Sequence, residues 1–267
     1  MLVIDGGTGI RRLDARSTAC RASTLPSHLH MDHIQGLGFF APLHDRDVET
    51  HIWGLARDVD DLGARLRRYL SPPLFPVRLR DPPRLALHAL PAGEFVEAWS
   101  SGGHAGWSSV CHPGFTVGLR VVSGRSTLAY LFDHEPALGV AGFPLGGVWT
   151  SGHDVAHGAD LLLHDSQYSI AEYAQHVGWG HSALDHTLAF ARLAAVKHLV
   201  TFHHDPWHGD DDIDRLTAEA RARVPVACDV DGRRRGRGVR ASLARRVRGH
   251  GRARLELLSA RAAQPSA

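Results

Sequence analysis

Four potential metal ligands lie within six residues of one another near the start of the chain, in Ser27-His28-Leu29-His30-Met31-Asp32-His33. Pro26 and Gly36 flank this segment and indicate a loop, and the earlier run Leu2-Val3-Ile4-Asp5 indicates a buried strand. Histidines at positions i and i+2 point to the same side of an extended chain, whereas the following Asp-His pair can turn toward a second ion. The spacing therefore predicts two metal ions held by a loop at the end of a strand.

The overall composition is that of a soluble globular protein. Of 267 residues, 43% are hydrophobic and 22% are charged, which fits one large domain or two small ones. We predict no membrane partner, because no apolar run approaches the roughly 18 residues of a membrane span. The first ten residues also lack the features of a secretory signal. Three cysteines without metal or redox spacing indicate a reducing compartment, so we predict a cytoplasmic protein.

Charge is divided unevenly along the chain. Residues 232–267 contain 11 Arg and one acid, Glu256, a net charge of +10, which leaves −8 for residues 1–231 because the whole chain is +2. We predict a folded domain over 1–228 and a disordered, Arg- and Ala-rich basic tail over 229–267. The tail is either a solvated extension or a segment that makes weak contacts with RNA or another polyanion.

The apolar pattern predicts an α+β protein. Helical spacing over 54–70 predicts a helix, and the Pro-rich segment 71–83 predicts a loop. Short apolar runs then predict a mostly antiparallel meander, and after residue 150 strands alternate with helices. The predicted strands of the meander are 85–90, 95–99, 115–122 and 127–132. In the second half the predicted strands are 161–163, 198–202 and 224–226, and the predicted helices are 183–195 and 211–223.

The motif His28-x-His30-x-Asp32-His33, with the strand before it and Gly36 after it, resembles the metallo-β-lactamase fold superfamily of dinuclear metal hydrolases. The resemblance implies a four-layer αβ/βα sandwich over 1–228, with two sheets inside and helices outside. Because the chain starts almost at the strand that ends in Asp5, we expect the first strands of this fold to be missing. The resemblance also implies that Asp5 braces the ligand loop rather than binding metal.

The resemblance implies further ligands outside the loop. A third histidine for the first ion is His112, in Cys111-His112-Pro113-Gly114, with His104 as the alternative. The bridging carboxylate of the family follows a strand, which matches Asp133 better than its neighbour Glu135.

The last ligand implied by the resemblance is a histidine at the end of strand 198–202, for which His203 is preferred to His204. The implied sets are His28, His30, His112 and Asp133 on one ion, and Asp32, His33, Asp133 and His203 on the other. Nitrogen and oxygen ligands without cysteine are compatible with zinc, the usual ion of the family, and with manganese or iron.

Two more motifs resemble the phosphodiesterase branch that includes ribonuclease Z and the phosphoribosyl cyclic phosphodiesterases. They are Ala159–Asp165, which ends in His164-Asp165, and Gly180-His181-Ser182. A carboxylate that orients an imidazole raises its basicity and fixes its tautomer, as a group that protonates a leaving oxygen requires. An incidental histidine beside the helix N-cap Ser182 is the alternative interpretation of His181.

The resemblance implies a mechanism in which a hydroxide bridging the two metal ions attacks phosphorus. His181, oriented by Asp165, would protonate the leaving alcohol, and Asp32 could accept the hydroxide proton. The sequence thus predicts an enzyme, a dinuclear phosphodiesterase acting on a small cyclic or nucleotide-like phosphodiester.

Other functions are compatible with the same residues. An ester, thioester or lactone hydrolase of this fold would not need the His181–Asp165 pair. A non-catalytic metal- and RNA-binding protein would use the basic tail. An RNA-processing nuclease is a further alternative, although we find no long inserted arm of the kind that grips tRNA. The sequence leaves a homodimer open.

Overall fold

The computed structural model describes residues 1–13, 20–90, 103–139, 142–144 and 146–224, together with the backbone of 229–232. These residues form two compact units, the first up to residue 90 and the second from residue 103 onward. Each unit contains one β-sheet and several helices, so the protein is α+β, as the sequence predicted. Among the described residues, none of the helices combines the length and the apolar character needed to cross a membrane.

The first unit contains a four-stranded sheet in the order β1-β2-β3-β4, and all neighbouring strands are parallel. Its strands are β1 (Leu2–Ile4), β2 (Arg21–Leu25), β3 (Glu49–Gly54) and β4 (Leu85–Ala89). Its α-helices are α1 (Met31–Ile34), α2 (Ala41–His44) and α3 (Val59–Arg67), and Thr8–Arg12 and Leu37–Phe39 are 3-10 helices.

Helix α3 covers the first sheet and begins later than the sequence predicted. The Asp58 carboxylate accepts a hydrogen bond from the Asp61 backbone N–H at 2.8 Å, and this N-cap fixes the start of the helix. Leu62 and Leu66 are fully buried in the core of the unit. Leu55 and Leu70 are also buried, although they lie outside the helix, which is why the apolar spacing suggested a helix over 54–70.

The second unit contains a six-stranded sheet in the order β10-β9-β8-β7-β6-β5. Among the described residues of this sheet, only β5–β6 and β6–β7 pair in antiparallel fashion, and the other neighbouring strands are parallel. Its strands are β5 (Gly103–Ser109), β6 (Val117–Ser123), β7 (Ser126–Leu131), β8 (Leu161–Asp165), β9 (His198–Phe202) and β10 (Asp229–Gly232). Its α-helices are α4 (His153–Ala156), α5 (Ile170–Tyr173), α6 (Leu184–Leu193) and α7 (Asp210–Arg223), and Gly147–Trp149 is a 3-10 helix.

The core of the second unit lies between the parallel strands and the helices α6 and α7. Every residue of β8 is buried, as expected of a parallel strand covered by helices. Phe190 of α6 and Leu162 of β8 are completely buried in one apolar cluster. Arg223 holds α7 to α6, because its guanidinium donates to both carboxylate oxygens of Asp185, at 2.6 and 3.1 Å.

The prediction of a meander that begins at residue 85 is wrong. Strand β4 pairs in parallel with β3 in the first sheet, and the antiparallel part of the second sheet is β5–β7. Strands β2, β3, β5 and β10 were not predicted, because runs such as Arg21–Leu25 and Gly103–Ser109 are too polar or too rich in glycine to be recognised as strands. Strand β10 falls in the segment 229–267 that was predicted to be disordered. The predicted strand 95–99 lies outside the described residues. The predicted last strand does not begin at Val224, which caps α7, and 225–226 lie outside the described residues.

Candidate metal centre

The four predicted ligands of the loop lie together in the first unit, and Asp5 holds the segment that carries them. Asp5 follows β1, and its carboxylate accepts hydrogen bonds from the Ser27 backbone N–H at 2.6 Å and from the Ser27 hydroxyl at 3.1 Å. The same carboxylate accepts from His33 Nδ1 at 2.7 Å. These are the contacts of a residue that braces the loop, the role that the resemblance implied.

The hydrogen bond to Asp5 also orients the His33 ring. Because a carboxylate only accepts, Nδ1 carries a proton, which leaves Nε2 as the atom through which His33 could bind metal. His33 Nε2 lies 3.1 Å from an oxygen of Asp32. The His28 ring lies 4.2 Å from the ring centroids of both His30 and His33, so the three imidazoles form one group.

The second unit brings together three further predicted ligands. His112 Nδ1 donates to the Gly180 carbonyl at 2.9 Å, which leaves the Nε2 lone pair facing Asp133 Oδ2 at 3.6 Å. His203 Nδ1 lies 3.6 Å from the other oxygen, Asp133 Oδ1. The buried Asp133 carboxylate thus presents one oxygen to each histidine, which suits a bridging ligand.

The spacing of these atoms fits a divalent cation. A separation of 3.6 Å is too long for a hydrogen bond. Two donors bound to one ion at about 2.1 Å and a tetrahedral angle would lie about 3.4 Å apart. One ligand atom from each of Asp133, Asp165, His181 and His203 can be chosen so that all four lie within 4.8 Å of one another. The described residues of the second unit therefore contain a His/Asp cluster compatible with metal.

Two residues of the site adopt a strained backbone. Asp5 has φ 59° and His203 has φ 55°, in the left-handed region that non-glycine residues seldom occupy. Both residues follow directly after a strand. The left-handed backbone turns each side chain away from the alternating directions that side chains take along a strand. Strain of this kind costs about 1–3 kcal/mol and is concentrated at functional sites.

His181 and Asp165 form the pair that the sequence predicted. Asp165 is completely buried at the end of β8, and its Oδ2 accepts from His181 Nδ1 at 2.7 Å. Its Oδ1 accepts from the backbone N–H groups of Gln167 and Ser182, both at 3.0 Å. The His181 ring stacks on the His203 ring with centroids 5.1 Å apart. Because Nδ1 is engaged by Asp165, Nε2 is the atom through which His181 can exchange a proton.

Glu135 organises the loop before His181 instead of acting as a ligand in this cluster. It is buried, and its carboxylate accepts from the Tyr173 hydroxyl at 2.8 Å and from the backbone N–H groups of Gly178 at 2.8 Å and Gly180 at 2.7 Å. Burial and this carboxylate both raise the pKa of Tyr173, so the phenol stays protonated and donates. The sequence favours Asp133 over Glu135 as a ligand but gives no sign of this supporting role.

The alternative ligands lie in other environments. His104 is exposed on β5. His204 is directed at the Ser166 carbonyl, 3.2 Å from its Nδ1, and burial lowers its pKa to about 4. Burial raises the pKa of the Cys111 thiol, which disfavours the thiolate needed for metal binding.

A pair of buried histidines supports the second unit's site and was not predicted. His134 Nδ1 donates to His164 Nε2 at 2.9 Å, and His164 Nδ1 donates to the Asp165 carbonyl at 2.7 Å. The Ser151 hydroxyl lies 3.2 Å from His134 Nε2 and accepts from the Cys111 N–H at 2.8 Å. Both rings are neutral, since burial lowers the pKa of His134 and lowers that of His164 to about 4. The chain of bonds joins the backbone segments that carry His112, Asp133 and Asp165.

The chain is similar to known proteins in sequence and in structure. No protein-family model matches the chain. Ribonuclease BN of Erwinia tasmaniensis is 24% identical over 233 residues, covering 84% of this chain and 67% of that protein.

Three solved structures have the same fold at 17% sequence identity. The metallo-β-lactamase fold protein YhfI from Bacillus subtilis has a TM-score of 0.60 and covers 86% of this chain and 82% of its own. A diphosphatase from the PhnP family has a TM-score of 0.57, with 86% and 77% covered. Zinc-bound PqqB from Methylobacterium extorquens has a TM-score of 0.60, with 85% and 81% covered. The chain therefore has the metallo-β-lactamase fold, as the ligand motif predicted.

Proposed function

We propose that the chain is a dinuclear metal-dependent phosphodiesterase that acts on a small cyclic or nucleotide-like phosphodiester. The observation that carries the proposal is the 2.7 Å hydrogen bond between His181 and the completely buried Asp165, beside the cluster of Asp133 and His203. A phosphodiester has an alkoxide leaving group that needs a proton, and an oriented imidazole can supply it. The similarity to ribonuclease BN supports hydrolysis of a phosphodiester, and the similarity to a diphosphatase supports hydrolysis at phosphorus more broadly.

Seven residues would hold the ions. We propose His28, His30, His112 and Asp133 for one ion and Asp32, His33, Asp133 and His203 for the other, with zinc as the native metal. The two ions would lower the pKa of a water molecule to give the nucleophile and would neutralise charge on the phosphate oxygens.

The protein groups would then move two protons. Water adds to phosphorus as its oxygen loses a proton, for which Asp32 is the proposed acceptor. The bond between phosphorus and the leaving oxygen breaks, and that oxygen takes the proton from His181 Nε2. Asp165 would hold the imidazole in place throughout, since its two oxygens together accept from one imidazole and two backbone N–H groups within 3.0 Å.

Replacing His181 tests this assignment. His181→Ala should retain both metal ions but lower turnover of a 2′,3′-cyclic nucleotide by roughly 10²–10⁴, the usual scale of general-acid catalysis. The loss on bis-p-nitrophenyl phosphate should be clearly smaller, because p-nitrophenolate leaves without a proton. Asp165→Asn should show the same pattern more weakly, since the imidazole remains but loses the charge that holds its tautomer.

The matched control is His157→Ala, which removes an exposed histidine near α4 and should behave like the wild type. An equal loss on both substrates, or loss of metal, would show that His181 positions substrate or binds metal instead of donating a proton. Activity on a lactone or thioester without activity on phosphodiesters would favour the carboxylic ester hydrolase.

A further inference from the structure

The loop that precedes His181 presents an exposed indole. Trp179 is 60% exposed and stands between Gly178 and Gly180, whose φ angles are +87° and +88°. A single exposed aromatic side chain is common on protein surfaces and needs no explanation by itself. The unusual feature of Trp179 is the number of contacts that fix its backbone.

Three successive backbone N–H groups hold this loop in place. Those of Gly178 and Gly180 donate to the buried Glu135 carboxylate, and that of Trp179 donates to the His176 carbonyl at 3.0 Å. Gly180 cannot be replaced by a larger residue, because a Cβ there would lie 2.3 Å from His112 Nδ1. The indole is therefore held on a rigid backbone while much of its surface faces solvent.

Two rings, those of His176 and Tyr168, connect this indole to the proposed general acid, His181. Trp179 contacts His176 edge to face with centroids 4.8 Å apart, and His176 stacks on Tyr168 at 4.5 Å. Tyr168 in turn lies 6.2 Å from the His181 ring. His176 is fixed in place, since its Nδ1 donates to the Glu172 carbonyl at 2.7 Å. Trp179 and His181 are also only two residues apart, so their Cα atoms lie within about 7 Å of each other.

We propose that the exposed face of Trp179 stacks on the base of a nucleoside leaving group. The inference rests on the proposed function, in which His181 protonates the leaving oxygen and the leaving group therefore lies on the His181 side. An aromatic platform there binds any base through its π-face and gives little sequence preference. The substrate class narrows to phosphodiesters whose leaving alcohol is a nucleoside, as in a dinucleotide or the end of an RNA chain.

The kinetic test compares a diadenosine dinucleotide with two analogues that carry a base-free tetrahydrofuran residue on one side or the other of the phosphate. The products show which side leaves. The wild type should prefer a base on the leaving side by about 5- to 100-fold in kcat/KM, mainly through KM, as expected for one stacked base. Trp179→Ala and Trp179→Leu should abolish this preference, whereas Trp179→Phe should keep most of it.

The matched control is Trp149→Ala, which removes another exposed indole of the same unit, 86% exposed, and should leave the preference unchanged. If Trp179→Ala prefers a base on the leaving side as strongly as the wild type does, the proposal is wrong. The proposal is also wrong if Trp149→Ala loses this preference to the same extent as Trp179→Ala.

A binding measurement separates this proposal from the proposed function. Adenosine should quench the tryptophan fluorescence of the full-length, metal-loaded protein, and ribose should not. Trp179→Phe should lose the quenching but still bind adenosine in competition with the dinucleotide. If no phosphodiester is turned over but the Trp179-dependent quenching occurs, the proposed reaction is wrong and the aromatic subsite stands. If adenosine neither binds nor quenches, the subsite does not exist.

Discussion

Glu135→Gln is the substitution whose effect the structure defines most closely. The carboxylate accepts three hydrogen bonds in a buried position, two at Oε1 from Tyr173 and Gly178 and one at Oε2 from Gly180. Glutamine has nearly the same shape but only one acceptor oxygen. If that oxygen replaces Oε1, the amide NH₂ faces the Gly180 N–H, and two donors oppose each other.

The expected change in the free energy of unfolding follows from these hydrogen bonds. A buried donor without an acceptor costs about 1–3 kcal/mol, and the two remaining bonds lose charge assistance of about 1 kcal/mol each. A neutral amide is cheaper to bury than a carboxylate, which offsets part of the loss. We therefore expect Glu135→Gln to lower the free energy of unfolding by about 2–4 kcal/mol.

The assay is urea unfolding of the metal-loaded protein together with turnover of a 2′,3′-cyclic nucleotide. Turnover should fall because the loop carrying His181 loses an anchor, but metal content should stay near that of the wild type. Glu219→Gln, on the exposed side of α7, is the matched control and should change neither. Unchanged stability in Glu135→Gln, or loss of metal, would refute the role assigned to this carboxylate.

Two other predictions concern pH and the tail. His164 has a pKa of about 4 in the folded protein because it is buried, against about 6.5 when unfolded, so the unfolded chain takes up a proton first as pH falls. The stabilisation that comes from keeping His164 neutral is fully present above pH 6.5. The free energy of unfolding, measured with urea, should fall by at most about 3 kcal/mol between pH 6.5 and 4. A free energy of unfolding that does not change over this range would contradict a buried neutral ring. Deleting 233–267, which leaves β10 intact, should leave metal content and turnover of a small phosphodiester unchanged but reduce retention on a polyanion column. A folded but inactive truncation would place the tail in the site.

The sequence predicted the ligand loop and the fold because both depend on dense local patterns. Three histidines and an aspartate within six residues permit few alternatives, and buried strands such as β8 are continuous apolar runs. His112, Asp133 and His203 came from resemblance alone, because they are scattered over some 90 residues. The structure places these three together in the second unit.

The supporting contacts could not be predicted, since they depend on tertiary placement. Glu135 accepts bonds from residues about 40 positions away, and nothing in its neighbourhood distinguishes it from a ligand. The His134–His164 pair joins the ends of two strands whose pairing is known only from the fold. The one local signal for the indole loop was the Gly178-Trp179-Gly180 sequence, whose two glycines permit the observed backbone.

We propose that this chain binds two metal ions through a shared Asp133, and elemental analysis of protein purified without chelator tests this proposal most directly. We predict two ions per chain for the wild type, a marked loss of both in Asp133→Ala, and near-normal content in Glu135→Gln. A wild-type content of one ion or fewer after reconstitution, or equal losses in the two variants, would contradict the dinuclear site.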